Sequence, residues 1–375
     1  MTALPLKGIR VIELARILAG PWAGQTLADL GAEVIKVESL AGDDTRTWGP
    51  PFIESDGEIN AAYYHSCNRG KHSVSLDFKT PNGLKKLKKL IATADILIEN
   101  FKVDGLAKYG LDYHSLHSEY PNLIYCSITG FGQSGPYAKR PGYDFLMQGM
   151  SGLMSVTGEP DRQPQKVGVA ITDIFTGLYA VIAIQAALRS RDDTGVGQHI
   201  DLSLLDVATT VTANQAMNYL TTGSAPNRKG NSHPNISPYC VIAVSDGYII
   251  LAVGNDNQFK KFSEIFKTKW FSDPQFSTNS ARLKNHSALL DLIEAKTAQL
   301  TKSQLLDKCE VFGVPAGPIN TMDEVFDDPQ VLHRGMQVNA GGIPTVRNPI
   351  LFSEMEMSFD TPSPNLGASN KKLLK

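Results

Sequence analysis

The chain predicts an α/β protein with a mostly parallel sheet and a smaller mixed α+β domain. Strand-like and helix-like segments alternate over the first 200 residues, as in a parallel sheet covered by helices. A stretch rich in Gly, Ser, Asn and Pro then interrupts the pattern at Tyr219–Pro238. The total of 375 residues is also more than one small module needs.

Gly8–Leu14, GIRVIEL, has the apolar, β-branched content of a strand. After the turn Ala19-Gly20-Pro21, Pro21 suits the first position of a helix that carries Trp22, Leu27 and Leu30 inward and stops at Gly31. AEVIKVE, 32–38, forms the next strand. Thr80-Pro81 opens a helix with Leu84, Leu87, Leu90 and Ile91 on one face, and strands 95–98 and 123–128 follow. Beyond the interruption come a strand at 248–253, a helix through Phe259, Phe262 and Phe266, and helices near 289–293 and 305–312. Thr301–Gln304 is a capping box and Gly313 a C-terminal cap, while Thr321–Glu324 starts a short helix ahead of Pro329.

A formal net charge of −2 argues against a dedicated nucleic-acid binder. Cys67, Cys126, Cys240 and Cys309 lie far apart with no C-x-x-C spacing, so neither a disulfide framework nor a zinc knuckle is expected, and a reducing cytoplasm fits. MTALPLKGIR lacks the features of a signal peptide, and the apolar run Gly177–Leu188 is too short to span a bilayer, so no membrane partner is expected.

Gly130, Gly132 and Gly135 spell G-x-G-x-x-G after a strand, but Pro136 and Pro141 leave no helix N-terminus to receive a pyrophosphate. His114 and His117 have helical spacing but no third ligand, so they read as surface histidines. The lysines of KKLKK, 85–89, alternate with leucines and read as a solvated helix face. H-E-x-x-H, Walker and G-x-S-x-G signatures are absent. Asp173 stands where an apolar helix begins. Its ordinary role is a helix N-cap; exposed to a cleft, the same carboxylate is a fixed nucleophile.

The ordered segments ARILAGPWAGQTLADLGAEVIKVE, GDDTRTWGPPF, NRGKHSVSLDFKTPNG, ILIENF, SITGFGQSGP, RPGYDFLMQGMSGLMSVTGEP, VGVAITDIFTGLYA, TGVGQHIDLSLLD, HPNISPY, DGYIILAVGNDNQF and GVPAGPIN resemble the class III coenzyme A transferases over roughly residues 8–335. GDDTRTWGPPF, IYCSITGFGQSGP and PINTMDEVF are most similar to members that act on dicarboxylic acids. The resemblance implies a Rossmann-like large domain from 1–215 with 328–375, a linker and mobile loop at 216–237, a small domain at 238–327, and two interlocked copies forming a homodimer.

It also implies that Asp173 attacks an acyl-CoA donor to give an acyl-aspartyl anhydride and CoA thiolate. The thiolate attacks the aspartyl carbonyl to form an enzyme thioester. A carboxylic acid acceptor then attacks the thioester, and CoA returns to the new anhydride to release product. CoA is substrate and carrier, with no tightly bound cofactor and no metal. Oxyanion donors are expected from Gly130, Gly132 and the loop at Gly230–Pro238, because glycine backbone approaches a reacting carbonyl closely.

Residue by residue, Ile17, Ala19, Lys71, Asn100 and Phe101 match family positions around CoA, and Lys108 stands where some members carry arginine. The family's arginine after strand two is replaced by Ser39, with nearby Arg46 as a possible substitute. Tyr143 replaces the histidine that related racemases use as an acid/base partner, which favours transfer over α-proton exchange. The ending Leu366-Gly367-Ala368 also departs from the family pattern. A racemase, an acyl-CoA hydrolase and a non-catalytic CoA-binding protein stand as alternatives. Arg140 and Arg228 are candidate partners for a second substrate carboxylate, against the ordinary reading of exposed surface arginines.

Overall fold

The computed structural model describes residues 4–375. They form two compact units: the chain through Leu153 with Lys166–Thr222 and Pro329–Lys375, and a smaller unit of Met154–Gln165 with Gly223–Asp328. Residues 216–222, read as linker from their loop-like neighbours, belong to helix Ala213–Thr222, whose Ala, Gln, Met and Leu are good helix formers.

In the larger unit six strands, β1 (Arg10–Glu13), β2 (Glu33–Glu38), β3 (His72–Ser75), β4 (Ile96–Glu99), β5 (Ile124–Thr129) and β6 (His199–Ser203), form one parallel sheet. Their order is β3-β2-β1-β4-β5-β6. That is the order of doubly wound dinucleotide folds, in which the chain switches direction between the first and fourth strands and opens a crevice at their carboxyl ends.

Alternate side chains of each strand feed opposite layers. Val11, Val34, Ile96 and Ile98 pack with Ala23 and Leu27 of α1 (Ala19–Asp29) and with Ala180 and Ile184 of a later helix. Ile12, Ile35, Leu97 and Tyr125 pack with Leu87 of α2 (Pro81–Ile91) and Leu116 of α3 (Tyr113–Glu119). Because both faces are covered, β4 and β5 are buried along their whole length. The lysines of α2 lie opposite this core, and Thr80 caps the helix through Gly83 N–H at 3.1 Å.

Helix α1 starts at Ala19, so Pro21 sits within its first turn, where a missing N–H is tolerated. Trp22 is only half-buried; Ala23 and Leu27 supply the inward face instead. The helices α4 (Asp144–Met150) and α5 (Ile171–Thr194) complete this layer. At 24 residues α5 is long and apolar enough to cross a membrane by length and composition. It exceeds the apolar run 177–188 because helix formers continue on either side, and Ala180, Val181, Ile184, Ala187 and Leu188 pack into the core.

The unusual C-terminal segment covers the sheet edge. Ser369 N–H donates to Ser73 O, and Ser75 N–H to Asn370 Oδ1, both at 2.9 Å, so β3 presents less unpaired backbone.

In the smaller unit β7 (Tyr239–Val244), β8 (Gly247–Ala252) and β9 (Ala316–Pro318) form an antiparallel sheet in the order β9-β8-β7. Phe259 and Phe262 of α6 (Asp256–Ile265), Leu289 and Ile293 of α7 (His286–Thr297), and Leu305 and Cys309 of α8 (Lys302–Phe312) fill its core. The Thr301–Gln304 capping box and the left-handed Gly313 cap bound α8 as its sequence dictates.

Candidate active site

The crevice at the β1/β4 switch point is lined by Arg16–Ala19 after β1, Asn100–Val103 after β4, Ile128–Gly130 at the end of β5, Ala138, Arg140–Tyr143, Asp173 and Leu204. Its first two walls are tied together: Asn100 Nδ2 donates to Arg16 O at 2.7 Å, and Arg16 N–H donates to Asn100 Oδ1 at 3.1 Å. Between them Ile17 adopts φ +72°, which a β-branched residue holds only when its surroundings impose it. Asp43 receives the Ile17 N–H at 3.2 Å.

That turn rests on buried charge. Lys36 lies 2.8 Å from Asp43 and 3.0 Å from Glu13, and Glu13 in turn lies 2.8 Å from Lys71. Burial opposes the charge on Lys36, yet Glu13 and Asp43 outweigh it and raise its pKa. The chain entering the site is therefore held by ion pairs that water does not screen.

Asp173 is the third residue of α5, not its cap. The N-cap is Ala170, and the capping role passes to Asp144, whose Oδ1 accepts Thr172 N–H at 2.8 Å and the Thr172 hydroxyl at 2.5 Å. Gln148 Nε2 donates to the other Asp144 oxygen at 2.8 Å. Asp173, 8% exposed, has no hydrogen bond or ion pair among the described residues. Burial, and then the negative charge of Asp144, push its pKa up to about 7. A raised pKa makes a carboxylate, once ionised, a stronger nucleophile, and no partner among the described residues occupies the Asp173 oxygens. Tyr63 is close enough to feel the Asp173 charge; burial, then that charge, raise the phenol to about 12, so it keeps its proton and can donate.

Of the residues singled out in the sequence, Ile17, Ala19, Asn100, Phe101, Gly130 and Asp173 surround this cleft. Lys71 does not: its ammonium is fully buried, donating to Pro21 O and Asn68 Oδ1 and ion-paired with Glu13 at 2.8 Å. Lys108 is an exposed lysine beside the Tyr109 ring and does not line the cleft. The Gly132 N–H is taken by Thr129 Oγ1 at 2.9 Å, and the Gly230 N–H, in the smaller unit, by Gly158 O at 3.0 Å. Neither is free as an oxyanion donor. Arg46 cannot stand in for the family arginine, because Glu38, Asn60, Tyr64 and Pro364 O occupy its guanidinium.

Arg228 likewise donates to the carbonyls of Glu159, Pro160 and Arg162. Tyr143 lines the cleft and is exposed. His114 and His117 both lie on α3, and the described residues contain no cluster of metal-ligating side chains. Sequence reasoning missed Arg16, Lys102, Tyr63 and Asp144. Arg16 and Asp144 do lie inside the segments ARILAG and RPGYDF, whereas Lys102 and Tyr63 lie outside every segment that carries the resemblance.

Residues 6–370 match the model of CoA-transferase family III. The chain belongs to this family. It is 56% identical over 379 residues to a succinate–glutarate CoA-transferase of Agrobacterium fabrum, covering 99% of this chain and 95% of the relative. It is 40% identical over 378 residues to the succinyl-CoA:glutarate CoA-transferase of Homo sapiens, covering 99% and 85%. A crystal structure of a CAIB/BAIF family protein from Brucella suis superposes with a TM-score of 0.90 at 58% identity, covering 99% of this chain and 98% of that one.

The segments GDDTRTWGPPF, IYCSITGFGQSGP and PINTMDEVF also resemble succinate-hydroxymethylglutarate CoA-transferase, and the names of these two relatives pair succinate or succinyl-CoA with glutarate. As a family III CoA-transferase the chain moves CoA from an acyl-CoA, and CoA is its substrate and carrier.

Proposed function

We propose that this enzyme transfers CoA from succinyl-CoA, or another short acyl-CoA, to a small dicarboxylic acid such as glutarate, with Asp173 as covalent nucleophile. The observation that carries this is the unpartnered Asp173 carboxylate in the switch-point cleft of a family III chain. The Asp173 carboxylate adds to the donor thioester carbonyl and expels CoA thiolate, leaving a mixed anhydride. The thiolate attacks the aspartyl carbonyl and releases the donor acid, leaving an aspartyl thioester. The acceptor carboxylate displaces CoA from that thioester, and the thiolate then attacks the acceptor acyl carbon, restoring Asp173. Every step conserves the acyl groups and electrons without an added reagent.

Gly130, whose backbone borders the cleft, is the oxyanion donor this reading favours. Ile17, Ala19, Asn100 and Phe101 form the CoA-facing wall. We place the enzyme in the cytoplasm as a homodimer. A groove of about 650 Å³ between Trp22, Leu178, Val346 and Ile350 supports pairing, as does buried His65, whose ring nitrogens have no partner among the described residues. Intact mass after incubation with succinyl-CoA tests the cycle: a CoA-sized adduct mapped to Asp173, absent in Asp173→Ala, is expected. Full transferase activity of Asp173→Ala would overturn it.

A further inference from the structure

Three cations border the cleft: Arg16, Lys102 and Arg140. Arg16 is committed, with its Nη1 2.5 Å from Asp44. Lys102 lies on the Asn100–Val103 wall and offers a flexible point charge. Arg140 differs from both. Its guanidinium lies 3.9 Å over the Tyr137 ring, and Tyr137 is itself braced edge-on by Phe131 at 5.5 Å. A stacked guanidinium is held by its face and keeps its in-plane N–H edge available. That side chain has no ion pair or hydrogen bond among the described residues, whereas Arg10, Arg46, Arg69 and Arg191 in the same unit are all paired with carboxylates.

The segment after Arg140 is fixed too. Gly142 lies so close to Gly130 that a Cβ on Gly130 would come within 2.7 Å of the Gly142 Cα, and only glycine at both positions allows this approach.

Asp173 lines the cleft, and Asp144, bonded to Thr172 and Gln148 beside it, adds a second negative charge close to that wall. An acyl group bearing a second carboxylate is repelled from such a site unless a cation receives it. We propose that Arg140 is the specificity-determining residue that binds the distal carboxylate of a dicarboxylic acyl-CoA or acid, through the two parallel hydrogen bonds a guanidinium offers. The inference rests on the dicarboxylate reading above and assigns it a residue. Arg228, the other arginine considered for this role, has no part in it.

The test compares the parent, Arg140→Met and Arg140→Lys. Both variants alter an exposed side chain, and far-UV circular dichroism checks that they fold. Single-turnover formation of the Asp173 thioester is followed by intact mass with succinyl-CoA and with butyryl-CoA, which has the same length but no distal charge. Both donors load the same CoA on the same residue. Arg140→Met is expected to slow loading from succinyl-CoA about 10- to 100-fold and to leave butyryl-CoA within about 3-fold, with partial recovery in Arg140→Lys. Equal slowing of both donors, or of neither, overturns the proposal.

Calorimetric binding of glutarate against its monomethyl ester, in the presence of free CoA, decides the role of Arg140 independently of the covalent cycle. The parent is expected to prefer the diacid, and Arg140→Met to lose that preference; a preference that survives in Arg140→Met overturns the proposal. A parent that forms no adduct from any donor overturns the Asp173 cycle alone.

Discussion

Asp144 accepts the backbone N–H of Thr172 at 2.8 Å, so a carboxylate from α4 caps the helix that carries Asp173. One acidic side chain thus satisfies an N–H of the helix terminus while Asp173 keeps no hydrogen bond among the described residues. The arrangement also places a negative charge beside Asp173, adding to the effect of burial on its pKa.

Replacing Asp144 separates these two effects. Asp144→Asn keeps a carbonyl oxygen that can accept the Thr172 N–H but removes the charge, so the Asp173 pKa should fall below about 7 while the effect of burial persists. The acid limb of thioester formation should move to lower pH. Asp144→Ala also loses the cap and should cost about 1 kcal/mol in urea unfolding. An unmoved acid limb in Asp144→Asn would show that Asp144's charge does not set the pKa of Asp173.

Asp173 carries a stability cost of defined sign. Its folded pKa of about 7 lies above the ordinary aspartate value of 3.8, so between these values the native state binds more protons than the unfolded state, and stability falls as pH rises. Asp173→Asn removes that titration. The variant should match the parent near pH 3.5, gain on it through the window from about 4 to 7, and exceed it by on the order of 4 kcal/mol above pH 8. Equal stabilities at pH 8 would mean that the buried carboxylate is better solvated than its geometry shows.

Local signals made much of the larger unit readable. The apolar run in IRVIE, the Thr80-Pro81 start and the two glycine or threonine boundaries of α8 act within a few residues, and each gave its element within a residue or two. The six-strand order was not readable from periodicity, because it depends on which buried strands meet across distant segments. The same limit hid the site. Asp173 looked like a cap because the residue that actually caps α5 lies 28 positions from Thr172. Lys71 and Arg46 looked like ligand contacts because nothing local shows that Glu13 and Glu38 neutralise them inside the core.

The buried Lys71–Glu13 pair can be tested directly. Lys71→Met leaves half of the Glu13 carboxylate buried without its cation, and breaking such a pair costs about 3 kcal/mol or more. The expected result is a lower urea midpoint, together with weaker activity as the Ile17 turn loosens. If Lys71 instead served CoA, the variant would unfold like the parent and show only a higher KM for acyl-CoA.

Gly177 lies four residues beyond Asp173 on α5, where that helix meets the start of α1. A Cβ at this position would fall 2.7 Å from Ala19 O and 3.1 Å from the Trp22 side chain. The first obstacle is backbone, so the helices must part for Gly177→Ala to fit, at a cost of about 1–3 kcal/mol. The gain in helix propensity is at most about 1 kcal/mol, so the clash should win. Because Ala19 lines the cleft, parting the helices also shifts one wall of the site relative to Asp173. The variant should unfold at lower urea and load CoA more slowly, with both effects traced to one contact. A Gly177→Ala enzyme at least as stable as the parent would show that the two helices can separate without strain, and the cleft geometry would then have to be fixed by the Asn100–Arg16 clamp alone.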